Sequence, residues 1–345
     1  MPKTLVIVIN YNSQHILDVV ISCIKSLLNQ IHNVSNTDLL LIDNGSSDNS
    51  FKEVLNLLKT RPYREIKKHI FLLRFVKNVG FAKACQIAFD NFGAHYDYII
   101  LVNNDLIPSE KSLCNLISTL ERYSTIGAVQ GIIIRLSNKG LDSAGVFLGP
   151  LLGLYPLDLS HVTNSRKNLI QISYADGAFL CVRSSALKKL GNFLFFEELY
   201  MYLEDLEMGI RLQRVGYPVY LIKTITGSHY RSASWIQLKE EIRDYLIARN
   251  LIVVLGLHFG FIGLLLAIVR IILVSFLFGK KSIYYSIKHG IRLRSLLLKR
   301  TKKLKMRYRP YMPFSAEINS LRKVLMQFLI RKNKVVLLKK DKSRE

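Results

Sequence analysis

The chain has 345 residues and half of them are apolar, which is enough to bury the core of one large or two modest domains. This composition excludes a disordered scaffold. The four cysteines lie far apart and lack the spacing of metal ligands, so we expect reduced, buried thiols in a cytoplasmic protein. They are Cys23, Cys85, Cys114 and Cys181.

The net charge of +24 is concentrated near the C-terminus, where residues 280–345 hold 21 Lys and Arg against three acidic residues. A nucleic-acid-binding surface would alternate basic residues with stacking aromatics, whereas this tail mixes them with Leu and Ile. We therefore expect no nucleic-acid partner. The charge is a property of the tail rather than of the folded body.

The first hundred or so residues alternate short apolar runs with helical patterns. Residues 4–10, 39–42 and 98–102 predict strands that are buried on both faces. Apolar residues recur every three or four positions over 16–28 and 81–89, which predicts helices. This alternation predicts an α/β fold, with a mostly parallel, Rossmann-like sheet covered by helices on both faces. The first twelve residues do not resemble a signal peptide, which favours the cytoplasm.

Three polar clusters each follow one of these apolar runs directly. In an open α/β sheet, ligands bind beyond the carboxyl ends of the strands. Each cluster alone is more typical of a turn. Three clusters at three strand ends indicate a shared site, and they are Asn10 to Asn12, Asp43 to Asp48, and Asn103 to Asp105.

Seven motifs in order resemble those of family 2 glycosyltransferases with the GT-A fold, closest in pattern to rhamnosyltransferase-like enzymes. The resemblance covers residues 4 to about 235, and seven motifs in order are far more specific than one. The resemblance implies transfer of a sugar from a nucleoside diphosphate donor to an acceptor hydroxyl, with inversion. The motifs are VIVINYNS (6–13), LLIDNGSSDNS (40–50), NVGFAKA (78–84), VNNDLIP (102–108), DGAFLCVR (176–183), YMYLEDLEMGIRLQRVGY (200–217) and SHYRSAS (228–234).

The resemblance implies that the donor binds at the strand ends. Asp43 stands where the family holds the nucleotide base, and Gly80 would permit close backbone approach at a helix start. The sequence departs from the family at Gln86, where the common Asn-Arg-Gly motif is missing. Lys83 could supply the lost charge, although an exposed lysine is more typical of such a position. The other implied donor-binding residues are Tyr11, Asn12, Asn78, Asn104 and Asp105.

Asp105 and His229 are the implied ligands of a divalent cation, Mg²⁺ or Mn²⁺. The family's Asp-x-Asp site has Asn103 in place of its first carboxylate here. One carboxylate can suffice, because such a cation fills its shell with phosphate oxygens and water. A histidine in isolation is more typical of a core or surface position, so the assignment of His229 depends on its motif.

Asp205 holds the position of the catalytic base, with Glu204 beside it. Inversion in one step needs a carboxylate that takes the acceptor's proton opposite the leaving diphosphate. Retention by double displacement would need a second nucleophile, which the sequence does not offer. Acids in a first helical turn are also favoured by the helix dipole. The implied acceptor-binding residues are Asp176, Gly177 and Tyr202.

Residues 259–278 form a 20-residue apolar segment whose one charge is Arg270. Its length suits a transmembrane helix, but one crossing would separate the basic tail from a cytoplasmic catalytic domain. We therefore predict an in-plane or re-entrant membrane helix, followed by an interfacial helix on anionic lipid. An ordinary buried helix is the alternative. The predicted domains are a catalytic domain (1–250), membrane-associated helices (251–310) and a basic tail (311–345).

The predicted function is therefore that of a glycosyltransferase at the inner face of the cell membrane. It would extend a glycan or lipid-linked acceptor in polysaccharide biosynthesis. A nucleotidyltransferase would carry a glycine-rich loop after the first strand, which NYNSQH is not. An inactive glycan-binding relative is the other alternative, and the presence of both Asp105 and Asp205 argues against it.

Overall fold

The computed structural model describes residues 2–34, 36–61, 63–231, 239–278 and 283–301. The predicted basic tail and the end of the SHYRSAS motif lie outside the described residues. The strands are β1 (Thr4–Asn10), β2 (Thr37–Asp43), β3 (Ile70–Arg74), β4 (Tyr98–Asn103), β5 (Leu106–Pro108), β6 (Ala128–Arg135), β7 (Leu141–Ser143), β8 (Val146–Leu148), β9 (Leu154–Pro156), β10 (Leu169–Ile172), β11 (Phe179–Arg183) and β12 (Val219–His229).

Helices separate most of these strands. Short 3-10 turns occur at Gln14–Ile16, Tyr63–His69, Gly93–His95 and Glu197–Leu199. The α-helices are α1 (Leu17–Asn33), α2 (Ser50–Leu58), α3 (Phe81–Phe92), α4 (Ser112–Arg122), α5 (Leu159–Asn164), α6 (Ser184–Lys189), α7 (Glu204–Arg214), α8 (Glu240–Phe278) and α9 (Ile283–Thr301).

The large sheet has the strand order β10-β12-β6-β11-β4-β1-β2-β3, and β8 pairs with β9 separately. Strands β4, β1, β2 and β3 run parallel. Strand β11 is antiparallel to β4 and β6, and so joins this parallel half to the parallel pair β6 and β12. The predicted α/β fold class is confirmed.

The predicted elements of the parallel half are also confirmed, and alternation along the strands explains them. Val6 and Val8 belong to the core on the α1 side of the sheet, whereas Leu5 and Ile7 belong to the core on the α3 side. Because both faces are covered, each strand reads as a continuous apolar run. One expectation is wrong: Cys114 is exposed, because it lies on the outer side of the amphipathic helix α4.

Helix α7 is held to its surroundings by a buried ion pair. The Arg211 Nε atom lies 2.8 Å from Glu207 Oε2, and both side chains are fully buried. The guanidinium also donates to the carbonyls of Phe193 (3.2 Å) and Leu194 (2.6 Å). The His258 ring on α8 lies 3.1 Å from Glu207 Oε1. Arg211 therefore joins α7 to the backbone at Phe193 and Leu194.

Helix α8 consists of two helical segments that meet at a kink at Gly260, whose φ of 62° and ψ of −139° are not helical. The predicted boundary at residue 250 falls inside this helix, so the division into domains stays a prediction. Arg270 donates to the backbone carbonyls of Leu151 and Leu152, which lie between β8 and β9. The one charge of the apolar segment is therefore directed at protein.

Among the described residues, one helix, Glu240–Leu277, is long and apolar enough to cross a membrane, and its most apolar 18-residue stretch has a mean hydropathy of 2.7. Its most apolar stretch is 44% buried against protein. Length and hydropathy do not distinguish a membrane span from a helix packed in a core.

Removing Arg211 should destabilise the fold strongly. In Arg211→Met, the Glu207 carboxylate loses the guanidinium, and breaking a buried pair costs about 3–5 kcal/mol. Lys83→Met is the matched control, because Lys83 and Glu197 form a pair of similar length (2.9 Å) whose side chains are 44% and 40% exposed. An exposed pair contributes about 0–1 kcal/mol. Urea unfolding measures both, and equal losses would contradict the assignment.

Candidate functional site

The polar clusters at the ends of β1, β2 and β4 converge, as predicted. The amide nitrogen of Asn104 donates to Asn10 Oδ1 (3.0 Å) and to Ser13 Oγ (2.8 Å). Asn10 in turn donates to Ser50 Oγ (2.9 Å) beyond β2. Asn12 accepts a hydrogen bond from the Ser47 N–H at 2.8 Å. Asn10 and Asn104 are buried, so this network fixes the three strand ends to one another.

Asp43 ends β2 with a fully buried side chain. Its Oδ1 accepts from the Ser46 N–H at 3.0 Å, which shapes the turn. Its Oδ2 lies 3.0 Å from Arg74 Nε, near enough for an ion pair but without hydrogen-bond geometry. Because Asp43 Oδ2 has no hydrogen-bond donor, it can accept one from a ligand that displaces the exposed Arg74 side chain.

Asn78 and Gly80 form a tight turn in front of α3. Asn78 Oδ1 accepts from Asn44 Nδ2 (3.1 Å) and from the Gly80 N–H (2.8 Å). Gly80 has a φ of 89°, and a Cβ built on it would lie 2.4 Å from Cδ2 of Tyr200. Glycine is required here for both conformation and space. Gln86, the first of the three positions that match the family's Asn-Arg-Gly, accepts from the backbone N–H groups of Leu194 and Phe195.

Asp105 and His229 lie side by side, at the neighbouring strands β5 and β12. His229 Nε2 lies 3.0 Å from Asp105 Oδ1, and Nδ1 lies 2.9 Å from Asp142 Oδ2. Burial opposes charge on the ring, but hydrogen bonds to the two carboxylates outweigh it and raise the pKa of His229 to about 10. Asp142 was not found from the sequence. It lies on β7, within a region where no motif was recognised, and its carboxylate also pairs with Arg231 Nε at 2.8 Å.

Asp105 and His229 can serve as ligands of a divalent cation. A histidine that ligates a metal usually donates its other ring N–H to a carboxylate, and Asp142 occupies that position for His229. Among the described residues, no group of three or more His, Cys, Asp or Glu side chains is arranged to hold a metal. The protein would therefore supply two ligands and leave the rest of the shell to phosphate and water.

A cleft of about 360 Å³ joins this pair to α7. Its lining includes seven of the predicted site residues, Asp105, Asp176, Gly177, Tyr202, Glu204, Asp205 and His229. It also includes two arginines that sequence reasoning missed, Arg231 and Arg243. The other predicted residues form the neighbouring strand-end network or turns and do not line this cleft; they are Tyr11, Asn12, Asp43, Asn78, Gly80 and Asn104.

Glu204 is buried and Asp205 is half-buried, and the two carboxyl groups have different partners. The Gly177 N–H donates to Asp205 Oδ2 at 3.1 Å, and the Leu206 N–H donates to Oδ1 at 2.8 Å. Burial and Asp176 nevertheless raise the pKa of Asp205. Burial and Asp205 raise the pKa of Glu204, whose Oε2 is buried without a hydrogen-bond partner.

The segment leading into α7 is strained. Tyr200, Tyr202 and Leu203 all have positive φ, at 66°, 72° and 65°. Tyr200 is the centre of a γ-turn, because the Met201 N–H donates to the Leu199 carbonyl at 2.7 Å. Such conformations cost about 1–3 kcal/mol each and persist only where surrounding structure imposes them.

The family model for glycosyl transferase family 2 matches residues 5–191, more than half of the chain. The chain therefore belongs to glycosyl transferase family 2, as its motifs predicted. A search of curated proteins found no match.

Solved structures show the same fold. GalNAc-T7 with UDP, GalNAc and Mn²⁺ matches with a TM-score of 0.53 and 13% identity, over 66% of this chain and 43% of that chain. The mannosyltransferase PcManGT from Pyrobaculum calidifontis, in complex with GDP-Man and Mn²⁺, matches with a TM-score of 0.52 and 13% identity, over 86% and 87%. S. aureus TarS 1–349 with UDP matches with a TM-score of 0.50 and 15% identity, over 90% and 94%.

At such identities the likeness concerns the fold alone, and the predicted GT-A fold is confirmed. The chain spans less than half the length of the GalNAc-T7 chain.

Replacing Gly80 should disturb the turn beneath Tyr200. Gly80→Ala adds both backbone strain and a clash with the ring, whereas Gly216→Ala adds strain alone, because Gly216 has a φ of 82° and nothing within 4 Å of its Cβ position. We expect Gly80→Ala to lower the melting temperature more than Gly216→Ala does. Differential scanning calorimetry measures this, and indistinguishable shifts would show that the ring moves aside at no cost.

Proposed function

We propose that the chain transfers a sugar from a nucleoside diphosphate donor to a hydroxyl of a glycan or lipid-linked acceptor, with inversion. The observation that carries the proposal is the shared cleft, in which the Asp105 and His229 pair faces the carboxyl groups of α7. Inverting transfer needs a site for the leaving diphosphate on one side of the sugar and a base on the other.

The strand-end network is the proposed donor side. Asp43 would accept a hydrogen bond from the nucleotide base, with Tyr11, Asn12, Asn78 and Gly80 shaping the pocket beside it. A divalent cation at Asp105 and His229 would neutralise charge on the departing diphosphate. Asn104 supports this side indirectly, because its amide is used to fix the strand ends. UDP, dTDP and GDP sugars are the candidate donors, and a rhamnosyl group is one of the candidate sugars.

Asp205 is the proposed base, and Glu204 its protonated neighbour. Two N–H groups stabilise the ionised form of Asp205, whereas Glu204 Oε2 has no hydrogen-bond partner. At neutral pH the charge of the pair therefore resides on Asp205. Its carboxylate takes the proton of the acceptor hydroxyl as that oxygen attacks the anomeric carbon. Asp176, Gly177 and Tyr202 surround it on the proposed acceptor side.

Variants at the two acids separate binding from chemistry. Asp105→Ala should abolish the Mn²⁺ dependence of UDP, dTDP or GDP binding, measured by calorimetry, because the cation loses its carboxylate. Asp205→Asn should keep binding but slow turnover of the matching sugar donors about 10²- to 10⁴-fold, the usual contribution of general base catalysis.

Asp90→Asn is the control for both variants, since Asp90 is an exposed carboxylate on α3. If no donor in a panel of UDP, dTDP and GDP sugars binds or turns over, or if Asp205→Asn keeps full turnover, the proposal is wrong.

We also propose that α8 and α9 bind the cytoplasmic face of an anionic membrane. Beyond Gly260, exposed apolar side chains recur at helical intervals, whereas Ala267, Ile271 and Ser275 on the other side are buried. Helix α9 adds exposed cations at Lys288, Arg292 and Lys299. An exposed apolar stripe beside basic residues is the composition of an interfacial helix. The stripe comprises Phe261, Ile262, Leu265, Val269, Ile272, Leu273 and Phe276.

Acidic substitutions in the stripe should weaken membrane binding. Phe261 and Phe276 are 75% and 82% exposed, so changing both to Glu should spare the fold while opposing contact with lipid. We expect the unmodified chain to sediment with phosphatidylserine-containing vesicles and the double variant to be released. Leu72→Glu, on the edge strand β3, is the control. Failure of the unmodified chain to bind, or equal binding by the double variant, would overturn the assignment.

A further inference from the structure

The strained segment before α7 is held from outside by one asparagine. Asn250, on α8, is completely buried. Its side-chain nitrogen lies 2.9 Å from the carbonyl oxygens of Leu199 and Met201, and 2.7 Å from that of Tyr202. Three backbone carbonyls therefore converge on a single amide group.

Neighbouring groups hold the remaining carbonyls of the segment. Arg249 Nη2 donates to Glu198 O (3.2 Å) and to Leu199 O (2.7 Å). From the opposite side, the Ala82 N–H donates to Tyr200 O at 3.0 Å. Every carbonyl from Glu198 to Tyr202 thus accepts a hydrogen bond from a residue distant in sequence. Positive-φ side chains persist where contacts of this kind impose the conformation.

The position of this segment determines where the catalytic helix begins. Leu203 directly precedes α7, and Asp205 is the second residue of that helix. Tyr202 and Leu203 line the same cleft as Asp205, whereas Asn250 is not among the described residues that line it. A displacement of the segment would therefore move the proposed base, and a misplacement of about 1 Å can cost about 10²-fold in rate.

We propose that Asn250 is a positioning residue for glycosyl transfer. Its amide fixes the segment 199–203 in its strained form, and so holds Asp205 and Tyr202 towards the acceptor hydroxyl. The inference rests on the proposed role of Asp205 as base. On this inference the first part of α8 supports catalysis through two residues, Asn250 and Arg249, which both contact the segment 199–203 or its flank.

Asn250→Asp tests this with little change of volume, because it replaces the shared donor with a carboxylate facing three carbonyl oxygens. We expect the kcat for hydrolysis of the preferred UDP, dTDP or GDP sugar to fall at least about tenfold. The Kd of the corresponding nucleoside diphosphate with Mn²⁺ should stay within about twofold, since the strand ends are untouched. Expressing kcat per nucleotide-binding site removes any contribution from misfolded protein.

Asn91→Asp is the matched control, because the exposed Asn91 also donates its amide to a backbone carbonyl, that of Ile87 at 2.7 Å. It should leave both constants unchanged. If Asn250→Asp does not fold, Arg249→Lys replaces it, since a single ammonium group cannot both reach the two carbonyls, as Nη2 does, and donate to Asn250 Oδ1, as Nε does at 2.9 Å. We expect the same fall in kcat, of smaller size, with Kd unchanged.

A double variant tests whether the loss of kcat in Asn250→Asp acts through Asp205. If Asn250 acts through Asp205, Asn250→Asp should slow the Asp205→Asn chain less than about twofold, because the base is already lost. An unchanged kcat in the single variant, a parallel loss of nucleotide binding, or a full additional tenfold loss in the double variant would overturn the inference. Full turnover by Asp205→Asn alone would instead refute the proposed function.

Discussion

The cleft brings four carboxyl groups together in a confined space, and the ionisation of the site can be understood from this constraint. Asp105, Asp176, Glu204 and Asp205 all line a cavity of about 360 Å³. Carboxylates so close to one another, and shielded from water, disfavour their own ionisation. Burial and neighbouring carboxylates raise the pKa values of Glu204 and Asp205, whereas hydrogen bonds to Asp105 and Asp142 raise the pKa of His229.

A bound cation and a phosphorylated donor would change this balance. Asp105 and His229 offer one oxygen and one nitrogen, and binding of a cation between them would release the proton from His229. Asp105 would then be neutralised by metal, whereas Asp205 remains the basic group on the other side of the cleft. Asn103, which replaces the first acid of the Asp-x-Asp motif, lines the same cleft and adds no negative charge to it.

The sequence predicted the parallel half of the sheet and the convergence of its polar strand ends, because both follow from local patterns. It did not predict Asp142 or Asn250. Each matters through a contact across the fold, and no short motif encodes such a pairing. Asp142 contacts His229, and Asn250 contacts the carbonyls of Leu199, Met201 and Tyr202. Cys114 was misjudged for a different reason: Leu113, Leu116 and Leu120 mark the buried face of α4, and Cys114 lies outside it.

Helix α8 carries both the proposed membrane surface and Asn250, the proposed positioning residue. The two proposals together would give the C-terminal region a role beyond attachment. The central claim is that metal, diphosphate and base meet in one cleft. The most direct test is a crystal of the chain with Mn²⁺ and its preferred nucleoside diphosphate, analysed by anomalous diffraction. We predict a manganese peak within bonding distance of Asp105, with the phosphates on the side opposite Asp205. A nucleotide bound elsewhere, or a manganese peak remote from Asp105, would contradict the account.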